Sequence, residues 1–67
     1  MIKVRLNGVE RQIEPPGTVA GLLEAYGLRA SMVVVERNGL IVPREQYSEE
    51  PVEENDHLEV VQMMAGG

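Results

Sequence analysis

Residues 2–27 read IKVRLNGVERQIEPPGTVAGLLEAYG, and this stretch decides the fold. Ile2, Val4 and Leu6 fall on one side of an extended chain and Lys3 and Arg5 on the other, the alternation of a half-buried strand. Asn7-Gly8 follows, two residues that tolerate positive φ and so close a tight hairpin. Residues 9–14 return as a second strand, with Val9 and Ile13 toward the core and Arg11 between them on the same side. Pro15-Pro16-Gly17 ends the hairpin, because proline has no amide hydrogen to give a ladder. Thr18 predicts a helix N-cap. Val19, Leu22, Leu23 and Tyr26 then recur at i, i+3, i+4 and i+7, a single apolar stripe. Gly27 is placed as the left-handed residue that closes the helix, with Leu28 supplying the hydrophobic contact that accompanies it. Gly21 inside the helix costs about 1 kcal/mol relative to alanine, and close packing on a sheet is the expected reason for it.

Working outward, Met32 to Glu36 is a short valine-rich run that reads as a strand. Asn38-Gly39 marks a second tight turn. Leu40-Ile41-Val42 is a brief return that Pro43 ends. Residues 44–56 are polar and irregular, with Asn55-Asp56 as a turn. Residues 57–64 form the last strand, where Leu58, Val60, Val61, Met63 and Met64 supply apolar bulk.

These segments provide four to five strands and one helix, an α+β layer arrangement. The last strand fits in the middle of the sheet, parallel to the first. That architecture is the β-grasp, the ubiquitin-like fold, with a mixed sheet and the main helix on one face. The other face stays open, and apolar residues on it are candidates for partner contacts.

The chain has 67 residues, which bounds it to one small domain burying only about 60% of its unfolded surface. It has no cysteine, so neither disulfides nor thiol chemistry enter. Aromatics are limited to Tyr26 and Tyr47, so an aliphatic core of Val, Ile and Leu, with Met in reserve, is expected. The net charge of −5 and six scattered basic residues argue against nucleic acid. No apolar run is long enough to span a membrane, and the alternating N-terminus lacks a signal peptide's apolar stretch. A cytoplasmic protein is the expectation.

The sequence closes on Ala65-Gly66-Gly67. Glycine has no Cβ, so such a tail passes through a channel too narrow for a side chain. A carboxylate at Gly67, ionised at neutral pH, is then the group on offer. The alternative reading is a frayed terminus.

Elsewhere the chain carries no catalytic apparatus. There is no phosphate-binding glycine loop and no nucleophile with a base. His57 is solitary and reads as a surface residue. The acids among Glu49, Glu50, Glu53 and Glu54 lack the carboxylate spacing of a calcium loop and read as a solvated acidic segment. No metal site is expected. Met63 and Met64 fit either an adaptable partner surface or the core. Arg44 and Glu45 either cap a short helical turn or touch a partner. A special carboxylate without catalytic residues reads as a substrate, not an enzyme. A carboxylate must be activated before it reacts, by adenylation with ATP bound to another protein.

Several stretches resemble one family. They are the Asn7-Gly8 hairpin, Thr18-Val19-x-x-Leu22-Leu23, Asn38-Gly39-x-Ile41-Val42-Pro43-Arg44-x-x-Tyr47, Asp56-x-Leu58-Glu59-Val60-Val61 and Gly66-Gly67. Together they resemble the ThiS-type sulfur carriers of thiamine biosynthesis, over the whole chain. Asn55 stands where that family commonly has Gly, and Tyr47 where it often has Trp.

The resemblance implies one domain over residues 1–67, with 65–67 as its flexible reactive tail. Gly67 would be the site of adenylation and thiocarboxylate formation, and Gly66 and Ala65 the narrow stalk. It implies no bound cofactor, ATP being used by a ThiF-like adenylating enzyme. The further implied partners are thiazole synthase (ThiG) and, indirectly, a cysteine desulfurase. The carrier would be monomeric when free, with Met63, Met64 and Arg44 as partner contacts. Two rival readings share the fold and tail: a MoaD-like small subunit that delivers sulfur to molybdopterin, and a ubiquitin-like protein modifier.

Overall fold

The computed structural model describes residues 1–14 and 17–63. Strand β1 (Ile2–Leu6) and strand β2 (Val9–Ile13) form the first hairpin, with Ile2 opposite Ile13 and Leu6 opposite Val9. Its turn has Asn7 at φ 51° and Gly8 at φ 81°, the paired positive values that the sequence predicts. The short strand β3 (Gly17–Thr18) leads into helix α1 (Val19–Ala25). Thr18 caps the helix, its hydroxyl accepting from the Gly21 N–H at 3.1 Å. Gly27, at φ 69°, closes it, and the Leu28 N–H bonds the Leu23 carbonyl.

A 3₁₀ turn at Ala30–Met32 enters strand β4 (Val33–Arg37), so this strand lies one residue later than its valine run predicts. The Asn38-Gly39 turn then returns the chain as β5 (Leu40–Ile41). Another 3₁₀ turn at Arg44–Gln46 precedes β6 (Pro51–Val52), and β7 (His57–Gln62) follows. The five-stranded sheet has the order β2-β1-β7-β4-β5. β7 lies parallel to β1 and antiparallel to β4, so the last strand occupies the middle as expected.

The segment 44–56 is more ordered than its polar sequence indicates. Within it, β6 pairs antiparallel with β3 as a small second sheet, and Val52 is buried. Two residues are too short a run to show strand periodicity, which is why the sequence does not reveal β6.

The core is Val4, Val19, Leu22, Leu23, Val33, Val35, Val42, Tyr47, Val52 and Leu58. Each such aliphatic side chain contributes about 1.5–3 kcal/mol on burial. Tyr47 adds an aromatic ring to the aliphatic core, its hydroxyl facing the Val33 carbonyl at 3.4 Å. No methionine is buried among the described residues.

Three local expectations are corrected. Val9, paired with Leu6 on the face of Val4, is 49% exposed, because β2 is an edge strand of the sheet. Tyr26 is the helix C-cap and remains 41% exposed, beyond the stripe of Val19, Leu22 and Leu23. The Arg11 guanidinium instead stacks over its ring, 5.9 Å from the centroid, which accounts for an arginine on this side of β2. Gly21 does not press on the sheet either; a Cβ there would meet only the Thr18 hydroxyl, at 3.3 Å. The crowded glycine is Gly17, where a Cβ would stand 3.1 Å from the Ile13 side chain and 3.4 Å from the Val52 carbonyl.

Candidate functional site

The two turn asparagines do more than permit positive φ. The Asn7 side chain accepts the Val60 N–H at 2.7 Å and donates to the Val60 carbonyl at 3.1 Å. It therefore continues the β1–β7 pairing past the end of β1. On the other side of β7, the Asn38 side chain accepts the His57 N–H at 2.8 Å and donates to Asp56 at 3.0 Å. The central strand is thus pinned along both edges by turn residues. The C-terminal end of β7 lies at Gln62. Just past it, the Met63 N–H bonds the Met32 carbonyl at 2.7 Å.

Arg37, at the end of β4, is the electrostatic centre of the opposite end. Its Nε donates to Asp56 at 2.8 Å, Nη1 to Glu50 at 3.0 Å and Nη2 to Glu53 at 2.9 Å. Asp56 also accepts the Glu53 N–H at 2.7 Å. Burial alone would push the Asp56 carboxyl up, but bonds from Arg37, Asn38 and the Glu53 amide outweigh it and hold the group below the usual carboxylate range. Arg37 is pushed further above its already high value, chiefly by its bond to Asp56. The acidic segment is solvated as the sequence predicts, with Glu49, Glu53 and Glu54 exposed, but Glu50 and Glu53 are in addition ion-pair partners of Arg37. Asn55 adopts φ 69°, so it replaces glycine at this turn without loss of the conformation.

The uncovered face of the sheet carries an apolar patch. Val34 and Val61 stand opposite one another across β4 and β7, 38% and 61% exposed. Ile41, opposite Glu36 on β5, is also exposed. Met63 is exposed just past β7, so of its two readings the core one is excluded. Arg44 lies in the 3₁₀ turn after Pro43, and its Nε donates to the Ala30 carbonyl at 3.1 Å. His57 is an exposed residue that contributes its backbone N–H to Asn38. The sites assigned to Met64, Ala65, Gly66 and Gly67, and the turn at Pro15-Pro16, lie outside the described residues. Among the described residues no group of three metal-ligating side chains converges, and no helix is long and apolar enough to cross a membrane.

One helix on a five-stranded mixed sheet, with the last strand placed beside the first, is the β-grasp fold. The same fold is seen in the crystal structure of the thiamine biosynthesis protein ThiS from Geobacter metallireducens. That structure superposes with a TM-score of 0.82 at 29% identity, over 98% of this chain and all of that one. The sequence model of the ThiS family matches residues 4–67, and the chain belongs to that family. It is 35% identical to the sulfur carrier protein ThiS of Bacillus subtilis, over 96% of this chain and 98% of that protein. It is also 39% identical, over 98% of its length, to part of the thiazole synthase of Paramagnetospirillum magneticum. The chain spans only 20% of the length of that synthase.

Proposed function

We propose that this chain is a sulfur carrier for thiazole formation in thiamine biosynthesis, with the Gly67 carboxylate as the reacting group. The observation that carries the reading is the family match running through Gly66-Gly67, supported by near end-to-end similarity to the Bacillus carrier. The synthase relative, with a segment like this chain inside it, favours thiazole synthase as the sulfur acceptor over the molybdopterin route.

The chemistry then follows from the weakness of a carboxylate as an electrophile. An oxygen of Gly67 attacks the α-phosphorus of ATP in a ThiF-like partner, releasing pyrophosphate and leaving an acyl adenylate. The terminal sulfur of a cysteine persulfide attacks the acyl carbon, and AMP departs. A thiol reduces the resulting acyl disulfide and is itself oxidised, freeing the thiocarboxylate. Thiazole synthase takes that sulfur. The chain acts as a co-substrate, and its folded body presents the tail.

Incubation with a ThiF-like enzyme, ATP and a persulfide donor is expected to add the mass difference between sulfur and oxygen, mapped to Gly67. No mass change with a cognate enzyme refutes the reading. Carrier function should also rescue a thiazole-requiring host and not a molybdoenzyme-deficient one.

The open sheet face is the docking surface in this reading. Val61→Asp is expected to leave the melting temperature nearly unchanged, because the side chain is already in solvent. It should weaken binding to the adenylating partner about tenfold or more, the effect of placing a charge in an apolar contact. Wild-type affinity in a titration would move docking to another surface.

A further inference from the structure

The motif Pro43-Arg44-x-x-Tyr47 sits far in sequence from the reactive end, yet its two functional side chains converge on the segment that holds that end. Arg44 Nε donates to the Ala30 carbonyl at 3.1 Å. Three residues on, the Tyr47 hydroxyl faces the Val33 carbonyl at 3.4 Å. Between those two carbonyls lies that of Met32, which accepts the Met63 N–H at 2.7 Å. This last bond extends the β4–β7 register, in which Val33 faces Gln62, by one residue.

The local backbone explains the convergence. Pro43 starts a 3₁₀ turn that the Tyr47 N–H closes on the Arg44 carbonyl at 3.1 Å. That turn aims both side chains toward residues 30–33, themselves a 3₁₀ turn entering β4. Tyr47 is buried and further fixed by its carbonyl, which accepts the Ala20 N–H at 2.8 Å. Arg44 is exposed and makes no ion pair among the described residues.

We propose that Arg44, with Tyr47, is a positioning residue for sulfur loading. By holding the Ala30 and Val33 carbonyls the pair fixes Met32, and so fixes Met63, the point from which residues 64–67 continue to the reacting carboxylate. This rests on the reading of Gly67 as the site of chemistry. A carboxylate four residues beyond its anchor reaches a partner's active site more often when that anchor has one position. The role is distinct from a charge contact with the partner, because it runs through a hydrogen bond that a neutral amide also makes.

The experiment compares wild type, R44M and R44Q. Amide hydrogen exchange is first measured on the free chain. In R44M the Met63 amide is expected to exchange about fivefold to tenfold faster, the size of one lost hydrogen bond, while Val35 and Val60 in the middle of the ladder stay unchanged. R44Q, which keeps an N–H donor without the charge, restores Met63 protection. With a ThiF-like enzyme, ATP and a persulfide donor, R44M lowers kcat for sulfur loading at unchanged KM for the carrier, and R44Q recovers it. Wild-type exchange at Met63 in R44M overturns the proposal. So does R44Q that regains Met63 protection yet loads no better than R44M, the mark of a charge contact. A wild-type chain that takes up no sulfur refutes the carrier reading instead, and the exchange comparison on the free chain still decides whether the clamp exists.

Discussion

Deleting Gly67 is expected to abolish sulfur loading while leaving the melting temperature unchanged. The two halves of this result have separate causes. Among the described residues, every fully buried core side chain lies between Val4 and Leu58, and the last tie to the sheet is the Met63 amide. Removing a residue four positions further along leaves all of these contacts in place. Loading, by contrast, depends on where the carboxylate sits in the partner's active site. Deletion withdraws it by one residue, roughly 3.5 Å. A misplacement of even about 1 Å at a reacting centre costs on the order of a hundredfold in rate. Gly67→Ala tests the width of the channel without changing its length, since it adds only a methyl group. One glycine appended after Gly67 tests the length without widening the stalk. Intact-mass analysis after incubation with the adenylating enzyme, ATP and a sulfur donor reads all three. Loading retained in Gly67→Ala removes the narrow-channel argument. Loading retained in the deletion removes Gly67 as the reacting residue.

How far the sequence speaks to this fold depends on the range of each signal. Asn7-Gly8 and Asn38-Gly39 are local, and both turns have the φ values their residue types prefer. Thr18 and Gly27 likewise mark the helix ends, because a cap is a bond between near neighbours. One helix and too few strands for a second layer put β7 in the same sheet, where a place beside β1 fits, and the structure shows it there. What pattern does not reveal is long-range pairing. Arg37 reads as one more scattered base, and its partners Glu50, Glu53 and Asp56 as an acidic loop, because no periodicity links positions 13 to 19 residues apart. Asn7 is legible as a turn residue but not as the clamp on Val60, 53 residues away. Gly21 and Gly17 show the same limit: composition identifies two glycines near a helix start, and only the tertiary structure shows that Gly17 is the crowded one. Among the site residues, Arg44 was legible as a motif member, while its convergence with Tyr47 on residues 30–33 required the fold.

Replacing Arg37 by methionine is expected to lower the unfolding free energy by about 3 kcal/mol, the effect of leaving a buried carboxylate without its cation. A domain of this size has a total stability of roughly 3–10 kcal/mol, so the loss is a large share of it. The main cause is Asp56, only 6% exposed, whose carboxylate would keep bonds from Asn38 and the Glu53 amide but lose its counter-charge. Glu53→Gln should change stability by less than about 1 kcal/mol, because that carboxylate is 70% exposed and its ion pair is screened. The acid flank gives an independent check. Asp56 titrates below its ordinary value in the folded chain, so its contribution is fully present above the unfolded value. It is lost as pH falls through the folded one. Arg37 is shifted upward, so its charge persists throughout the neutral and acid range and does not set that flank. Melting temperature against pH should therefore be flat near neutrality and fall below roughly pH 4, and the fall should be shallower in Asp56→Asn. That variant should also be less stable than wild type at pH 7, since the amide cannot balance the guanidinium. An Asp56→Asn profile parallel to wild type down through the acid range would assign the flank to other carboxylates. An unchanged melting temperature in Arg37→Met would show that the three ion pairs add nothing to holding the β4–β5 turn against the loop before β7.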